Sequence, residues 1–362
     1  MLLMITNAIA PYCYDVSVIA GLPTNLSHRF RYRERWIKLD RDIKTTTGDE
    51  ALIILRVQET GELIPVRFVR IEEILRVGDI SFIEFRMREL CTMKAIDQAS
   101  EHINSALRIK GYVNKPGASL DSLVLELEQS GASVLEKLRV DDEDENWAEM
   151  AKKLGTLSCF KDFSFLKVLD IRDVQGKVAR ITVDETGRYS FSLDPGRVYF
   201  LDVMQHVPWQ IEETERIEKP YDVELNAETE ELEVLRKIQR VVGKYDLLRF
   251  IFKTSVAYET RHTYLELNNK QGTISSEFSP PVVFLPLRVR LSGWRRRVLW
   301  LRRVAAVVAS LGIIASGFLS HHMGIPVDWI WLVCLLALVL ATNKVDDFVS
   351  ATVKDVVGAR IK

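Results

Sequence analysis

One stretch near the N-terminus has a residue pattern suited to ligand chemistry: Arg29-Phe30-Arg31-Tyr32-Arg33-Glu34-Arg35-Trp36. In a strand, successive side chains point to opposite faces. Arg29, Arg31, Arg33 and Arg35 then line one face, with Phe30, Tyr32 and Trp36 on the other. Arg86 and Arg88 repeat the alternation beside Phe85 and Met87. Guanidinium groups in a row suit phosphates and carboxylates, because each presents paired N–H donors in a fixed plane. The functional reading of the row is an anionic-ligand face, for a nucleotide, RNA, lipid headgroup or acidic protein. The plainer competing reading is a solvated sheet face balanced by Glu34, Glu84 and Glu89.

A second concentration lies further on. Residues 286–303 hold seven arginines and no acid: Arg288, Arg290, Arg295, Arg296, Arg297, Arg302 and Arg303. Such a run directs a chain either to nucleic acid or to a membrane, and the residues that follow decide between them. Residues 304–320 are uncharged, residues 321–328 form a polar turn with Gly324 and Pro326, and residues 329–341 are uncharged again. The lengths predict a two-helix transmembrane hairpin over 304–342. A re-entrant hairpin and a buried soluble one are the competing readings.

Two further signals favour the membrane. Trp294, Trp300, Trp329 and Trp331 flank the apolar runs, as an interfacial aromatic belt does. The arginines precede the first run, the turn has no Lys or Arg, and Lys344 follows the second run. The positive-inside rule then predicts the cytoplasmic (inner) membrane, with both termini in the cytoplasm and residues 321–328 outside. The arginines read as a topology collar that can also meet anionic headgroups. Ala305, Ala309, Gly312 and Ser316 form a small-residue stripe for helix packing or self-assembly. Neither apolar core holds an Asp, Glu, Lys or Arg, which disfavours a transporter. The tail from Val345 reads equally as an amphipathic helix, through Phe348, Val349, Thr352, Val353 and Val356, or as a frayed end.

Catalytic signatures are missing. No phosphate-binding glycine loop, zinc spacing, HExxH, GxSxG or kinase pattern occurs. The six histidines are scattered, and the adjacent His321 and His322 read as solvated. No catalytic residue, metal or cofactor is therefore expected. Four cysteines without a pairing pattern suit a reducing compartment. The N-terminus lacks a basic region before a long apolar stretch, so no cleaved signal peptide is expected.

The elements that would carry these residues are mainly β with some α. Runs at 14–20, 29–39, 51–58, 62–70 and 80–88 predict an N-terminal β-rich domain over 1–118, a small barrel or sandwich, with a hairpin turn at Glu59-Thr60-Gly61. Residues 119–160 hold four bases against ten acids and predict a helical connector, its acidic run 141–145 entering a helix at 146–153. Runs at 164–171, 177–184, 188–193, 198–205, 247–254, 262–267 and 282–291 predict an antiparallel β-sandwich over 161–291. A charged insertion at 210–219 and a helix at 227–240 interrupt it. The collar spans 292–303 and the cytosolic amphipathic tail 343–362.

Composition agrees with a folded protein: 47% of the 362 residues are apolar and 27% charged, which excludes a disordered chain. The formal net charge of −1 hides the collar, and it does not support extended nucleic-acid binding. A large soluble part joined to a minimal hairpin resembles, in architecture alone, bacterial membrane effectors of antiviral or stress defence. The first functional reading is such an effector: the β-rich part binds a ligand or partner, and the hairpin oligomerises in the bilayer or perturbs it. The second is a membrane-tethered adaptor recruiting a cytosolic protein. The third is an enzyme with an unrecognised site. The expected partners are the lipid bilayer, further copies of the chain, a protein and a small anion.

Overall fold

A computed structural model describes residues 1–33, 37–39, 47–117, 122–160, 164–185, 187–207, 216–227, 229, 231–255, 260–270, 282–290, 297, 300 and 304. The described chain is mainly β with some α, in three sheets. Met1–Arg290 forms one compact unit and Leu291–Lys362 a second. Arg297, Trp300 and Val304 are helical in the second unit, and the remainder of the 304–342 hairpin and the 343–362 tail lie outside the described residues.

The N-terminal half begins with β1 (Leu2–Asn7) and α1 (Ala10–Gly21). It continues through β2 (Ser27–Arg33), β3 (Ile37–Leu39), β4 (Glu50–Arg56), β5 (Leu63–Val77) and β6 (Ile80–Cys91). Then come α2 (Ile96–Ile109), β7 (Ser122–Glu126), α3 (Gln129–Glu136), β8 (Arg139–Val140) and α4 (Asp144–Gly155). The strands form one sheet in the order β2-β6-β5-β4-β1-β7-β3, with β8 on β6. Its edges β2 and β3 are consecutive in the chain. Arg33 and Ile37 are four residue steps apart, a reach of at most ~15 Å, whereas a flat sheet of seven strands would set its edges ~29 Å apart. The sheet is therefore strongly curled.

β1 is apolar along nearly its whole length, as a strand covered on both faces must be. It pairs parallel with β4 and antiparallel with β7, so the first residues of the chain sit inside the sheet. The strand expected at 14–20 is instead part of α1. Pro11 occupies its first turn, where no amide partner is lost. Cys13, Val16, Ile19 and Ala20 are fully buried, and Val18 nearly so. Apart from Asp15, which pairs with His28, and Ser17, α1 is apolar around its circumference, and burial overrides the strand preference of its Val and Ile residues. The helical connector expected over 119–160 contains a strand, β7, ahead of α3. The expected helix at 146–153 appears as α4, and Ile96–Ile109 forms α2.

The second half holds β9 (Phe165–Asp173), β10 (Arg180–Val183), β11 (Tyr189–Leu193), β12 (Val198–His206) and β13 (Arg216–Ala227). It ends with β14 (Leu232–Arg236), β15 (Ile238–Gly243), β16 (Tyr245–Thr254), β17 (Arg261–Lys270) and β18 (Val282–Val289). One sheet runs β14-β16-β12-β9 and the other β10-β11-β18-β17-β13-β15. All seven expected strands of this half are present. The helix expected at 227–240 is replaced by β14 and β15, which find partners in β16 and β13. Alternate residues are buried, such as Leu201 and Val203, Phe250 and Phe252, Leu265 and Leu267, and Leu285 and Leu287. Each sheet thus contributes one apolar face to a continuous core.

The two halves are joined through α1 and an ionic bridge. Arg67 of β5 is fully buried and donates to the Ile19 carbonyl at 2.9 Å, the Arg88 carbonyl at 2.8 Å and Asp142 Oδ2 at 3.0 Å. Lys167 of β9 donates to the Asp142 carbonyl at 2.9 Å and to Asp144 Oδ1 at 3.0 Å. The acidic run 141–145 therefore does more than favour a helix start: Asp142 neutralises buried cations from both halves.

Candidate functional site

The alternation expected for the first arginine row is present in β2. Phe30 and Tyr32 are buried among aromatic neighbours, and Arg29 and Arg31 face solvent. The outward face is partly neutralised. Arg29 lies opposite Glu84 of β6 and is paired with it at 3.0 Å, and Glu73 of β5 is 3.5 Å away. The Arg33 side chain and Arg35 lie outside the described residues.

Arg86 is separated from this row by its surroundings. It is buried, its Nε lies 2.7 Å from Glu72 Oε1, and its guanidinium sits 4.5 Å from the centre of the Tyr189 ring. It also donates to the Tyr189 hydroxyl. Arg86 thus pins the curled sheet to β11. Arg88 is half-buried, with its carbonyl held by Arg67. The six arginines do not form one free anionic-ligand face among the described residues.

A polar cleft of about 340 Å³ opens elsewhere, at one end of the two packed sheets. β9, β10, β11 and the end of β18 contribute Asp173, Arg180, Thr182, Ser192 and Arg290, and the connections add Lys177 and Asp194. The turn after β9 folds around Asp173, whose Oδ1 accepts from the amides of Gln175 at 2.9 Å and Lys177 at 3.0 Å. Arg197 reaches its other oxygen at 2.9 Å. The Lys177 amide first, then the Gln175 amide and Arg197, hold this carboxyl below its ordinary pKa. Asp194 is paired with Arg290 at 2.7 Å, and its backbone is clamped by the Tyr199 and Thr254 hydroxyls. Both cleft carboxylates are therefore already neutralised. Lys177 and Arg180 form no ion pair among the described residues, so the unspent charge in the cleft is positive. Sequence reasoning missed this arrangement, because its members come from separate strands and turns without a local motif.

The C-terminal set divides between the two units. Arg288 lies within β18, and the Arg290 amide donates to the Leu193 carbonyl at 2.9 Å. Arg297 and Trp300 are helical and exposed. Arg295, Arg296, Arg302, Arg303, Trp294, Trp329, Trp331, Ala305, Ala309, Gly312 and Ser316 lie outside the described residues. Among the described residues, no helix is long and apolar enough to cross a membrane, and no group of three or more His, Cys, Asp or Glu residues could hold a metal. Cys13, Cys91 and Cys159 are free thiols. A hydrogen bond to Cys159, then burial, pushes the Cys13 thiol up, and burial does the same to Cys91. That is the opposite of what a reactive cysteine needs.

Neither a family model nor a curated protein matches the chain. Among solved structures, a Bacteroides ovatus GH5 xyloglucanase in complex with a XXXG heptasaccharide is 9% identical, over 31% of this chain and 19% of that chain, with a TM-score of 0.17. The cupredoxin domain of amoB from Nitrosocaldus yellowstonii is 9% identical, over 30% and 61%, with a TM-score of 0.17. The N-terminal domain of PorA is 9% identical, over 34% and 98%, with a TM-score of 0.18. The chain thus spans under a fifth of the xyloglucanase and under two thirds of the cupredoxin domain. Likeness this partial carries no functional argument.

Proposed function

We propose that the chain is a membrane-anchored effector in which the β-rich unit binds a ligand or partner and a C-terminal transmembrane hairpin self-associates in the bilayer or perturbs it. One observation supports the coupling. Arg290, the last residue of the first unit, is held by both the Leu193 carbonyl and Asp194, and the uncharged run begins at residue 304. The intervening segment contains five arginines, Arg295, Arg296, Arg297, Arg302 and Arg303. A shift in the β-sandwich would reach the hairpin through a short connection.

The test is membrane fractionation with and without residues 304–342. The full chain should stay with membranes through alkaline extraction, and the deletion should release it. A full chain recovered in the supernatant would overturn the anchor. Membrane potential followed during expression then separates an effector from a passive anchor: a steady potential under every ligand tried counts against the effector.

The second reading, a tethered adaptor, draws support from β15. It is the end strand of its sheet, with Ile238 and Val242 exposed, and Tyr245 and Leu247 are exposed on the following strand. An open edge with apolar side chains suits strand addition by a protein partner. Under this reading a foreign anchor replaces residues 298–342 without loss of function.

A further inference from the structure

The face of the β10-β11-β18 sheet that points away from the apolar core has a hydrogen-bond deficit among the described residues. Thr182 and Ser190 are opposite each other in register, as are Arg180 and Ser192, and Ser192 is opposite Arg288. Residues directly opposite share a face. The intervening Phe191 and Leu287 point into the core. On this polar face, Thr182 Oγ1, Ser190 Oγ and Arg288 Nε are buried without a hydrogen-bond partner among the described residues. Ser190 is only 3% exposed. A buried unpartnered group forfeits the hydrogen bonds it would make in water, so three on neighbouring strands call for an explanation.

Charge identifies what would satisfy them. Arg180 and Thr182 open into the 340 Å³ cleft beside Lys177. Arg180, Lys177 and Arg288 form no ion pair among the described residues. The acids that line the cleft are already engaged, Asp173 with Arg197 and Asp194 with Arg290, and Asp184 accepts from the Arg188 amide at 3.0 Å and lies 3.7 Å from His262. What remains is a set of N–H and O–H donors with net positive charge. Such a set matches an anion with several oxygens at tetrahedral spacing, and a guanidinium binds that anion through two N–H groups.

We propose that Arg180, Thr182, Ser190, Ser192 and Arg288, with Lys177 at the rim, form a binding site for a phosphate monoester. The proposal stands on the β-sandwich alone and does not rest on the hairpin. Two sources supply the same chemistry, a soluble phosphorylated compound and the headgroup of a phosphatidic acid-like lipid.

The test uses the full chain in neutral detergent, with two probes at constant ionic strength: inorganic phosphate and short-chain phosphatidic acid. Binding is read by calorimetry and by the thermal unfolding midpoint. Saturable binding of either probe is expected. Binding of both, or of phosphate alone, indicates a soluble source, and binding of the lipid alone indicates a headgroup. Arg288→Gln should weaken the bound probe about tenfold or more, the loss of one charge-assisted hydrogen bond. Thr182→Val keeps the shape and should weaken binding about fivefold. Without probe, Thr182→Val should be at least as stable as the parent, because it removes an unsatisfied hydroxyl. A Thr182→Val chain that is clearly less stable would mean the hydroxyl already has a partner, and would overturn the site. So would no saturable binding of either probe, or binding unchanged in both variants.

Discussion

Gly21 and Leu166 meet through their backbones: a Cβ placed on Gly21 would lie 1.8 Å from the Leu166 carbonyl oxygen. The end of α1 therefore rests on β9 with no room for a side chain. This contact sets the distance between the curled N-terminal sheet and the second half of the first unit. Gly21→Ala must push α1 and β9 apart, an overpacking cost of about 3 kcal/mol. Gly78 provides the control. Its φ is 61°, and a Cβ placed on it would meet nothing within 4 Å, so Gly78→Ala should cost only the left-handed backbone penalty, about 1 kcal/mol. Urea unfolding of the two variants measures the difference, and equal midpoints would argue against a tight α1–β9 contact.

Asp142 is the acid on which two buried cations converge. Its Oδ2 accepts from Arg67 at 3.0 Å, and its Oδ1 lies 3.2 Å from Lys167 Nζ. Burial pulls the Arg67 guanidinium below its ordinary pKa, while Asp142 acts in the opposite direction. Asp142→Asn leaves both cations without their shared countercharge and should cost about 3 kcal/mol. Asp144, more exposed and paired among the described residues with Lys167 alone, is the comparison: Asp144→Asn should cost under about 1 kcal/mol. Denaturant midpoints that move equally would show that Asp142 is not the hub.

Arg86 and Arg29 share one sequence pattern and differ in what surrounds them. Arg86 is enclosed between Glu72 and the Tyr189 ring, whereas the Arg29 side chain is 49% exposed beside Glu84. Arg86→Gln strands a partly buried carboxylate and loses the ring contact, for about 2 kcal/mol. Arg29→Gln should change stability by less than about 0.5 kcal/mol. Thermal unfolding of the two variants distinguishes them, and matching midpoints would mean that Arg86 does not pin β11.

This contrast shows how far the sequence could be read. Strand alternation placed Phe30 and Tyr32 inside and Arg29 and Arg31 outside, because a period of two is a local signal. The partner that separates Arg86 from Arg29, Tyr189, is 103 residues away in the chain, and no local pattern encodes it. β12 and β16 were legible for the same reason as β2: one face of each is apolar. α1 was not, since its apolar residues lie all around the helix and leave no period to detect. β14 and β15 were missed because Glu233, Leu235, Arg236 and Lys237 are good helix formers, and their strand state depends on pairing with β16 and β13. The cleft was invisible because its donors come from three strands and a turn. The deficit at Thr182, Ser190 and Arg288 exists only once those strands are in register.

His206 makes stability depend on pH. It stacks on Tyr245 with ring centres 4.0 Å apart and meets Trp147 edge-on at 6.4 Å. Burial lowers its pKa from 6.5 to about 4. The unfolded chain takes up the proton near pH 6.5 and the folded chain only near pH 4, so the unfolded state holds more protons between these values. Stability present above pH 6.5 is therefore lost as the pH falls toward 4, by up to about 3 kcal/mol. His206→Phe retains a ring against Tyr245 and Trp147 and removes the titration. Unfolding free energies measured at stepped pH should fall less steeply in this variant over that window. Parallel curves for variant and parent would assign the acid sensitivity to other groups.

The last strand decides whether the first unit can stand alone. Val283, Leu285, Leu287 and Val289 of β18 are buried, and β18 fills the gap between β11 and β17. The core extends to Val289 and includes no described residue beyond it. A chain ending at Arg290 keeps that strand and the Arg290–Asp194 pair, and should unfold cooperatively. A chain ending at residue 281 loses four core side chains, each worth about 1.5–3 kcal/mol of burial, and exposes the edges of β11 and β17. It should be aggregated or unfolded. Circular dichroism and size-exclusion chromatography compare the two. A well-folded, monomeric chain ending at residue 281 would show that β18 is dispensable, and with it the strand that supplies Arg288 to the proposed phosphate site.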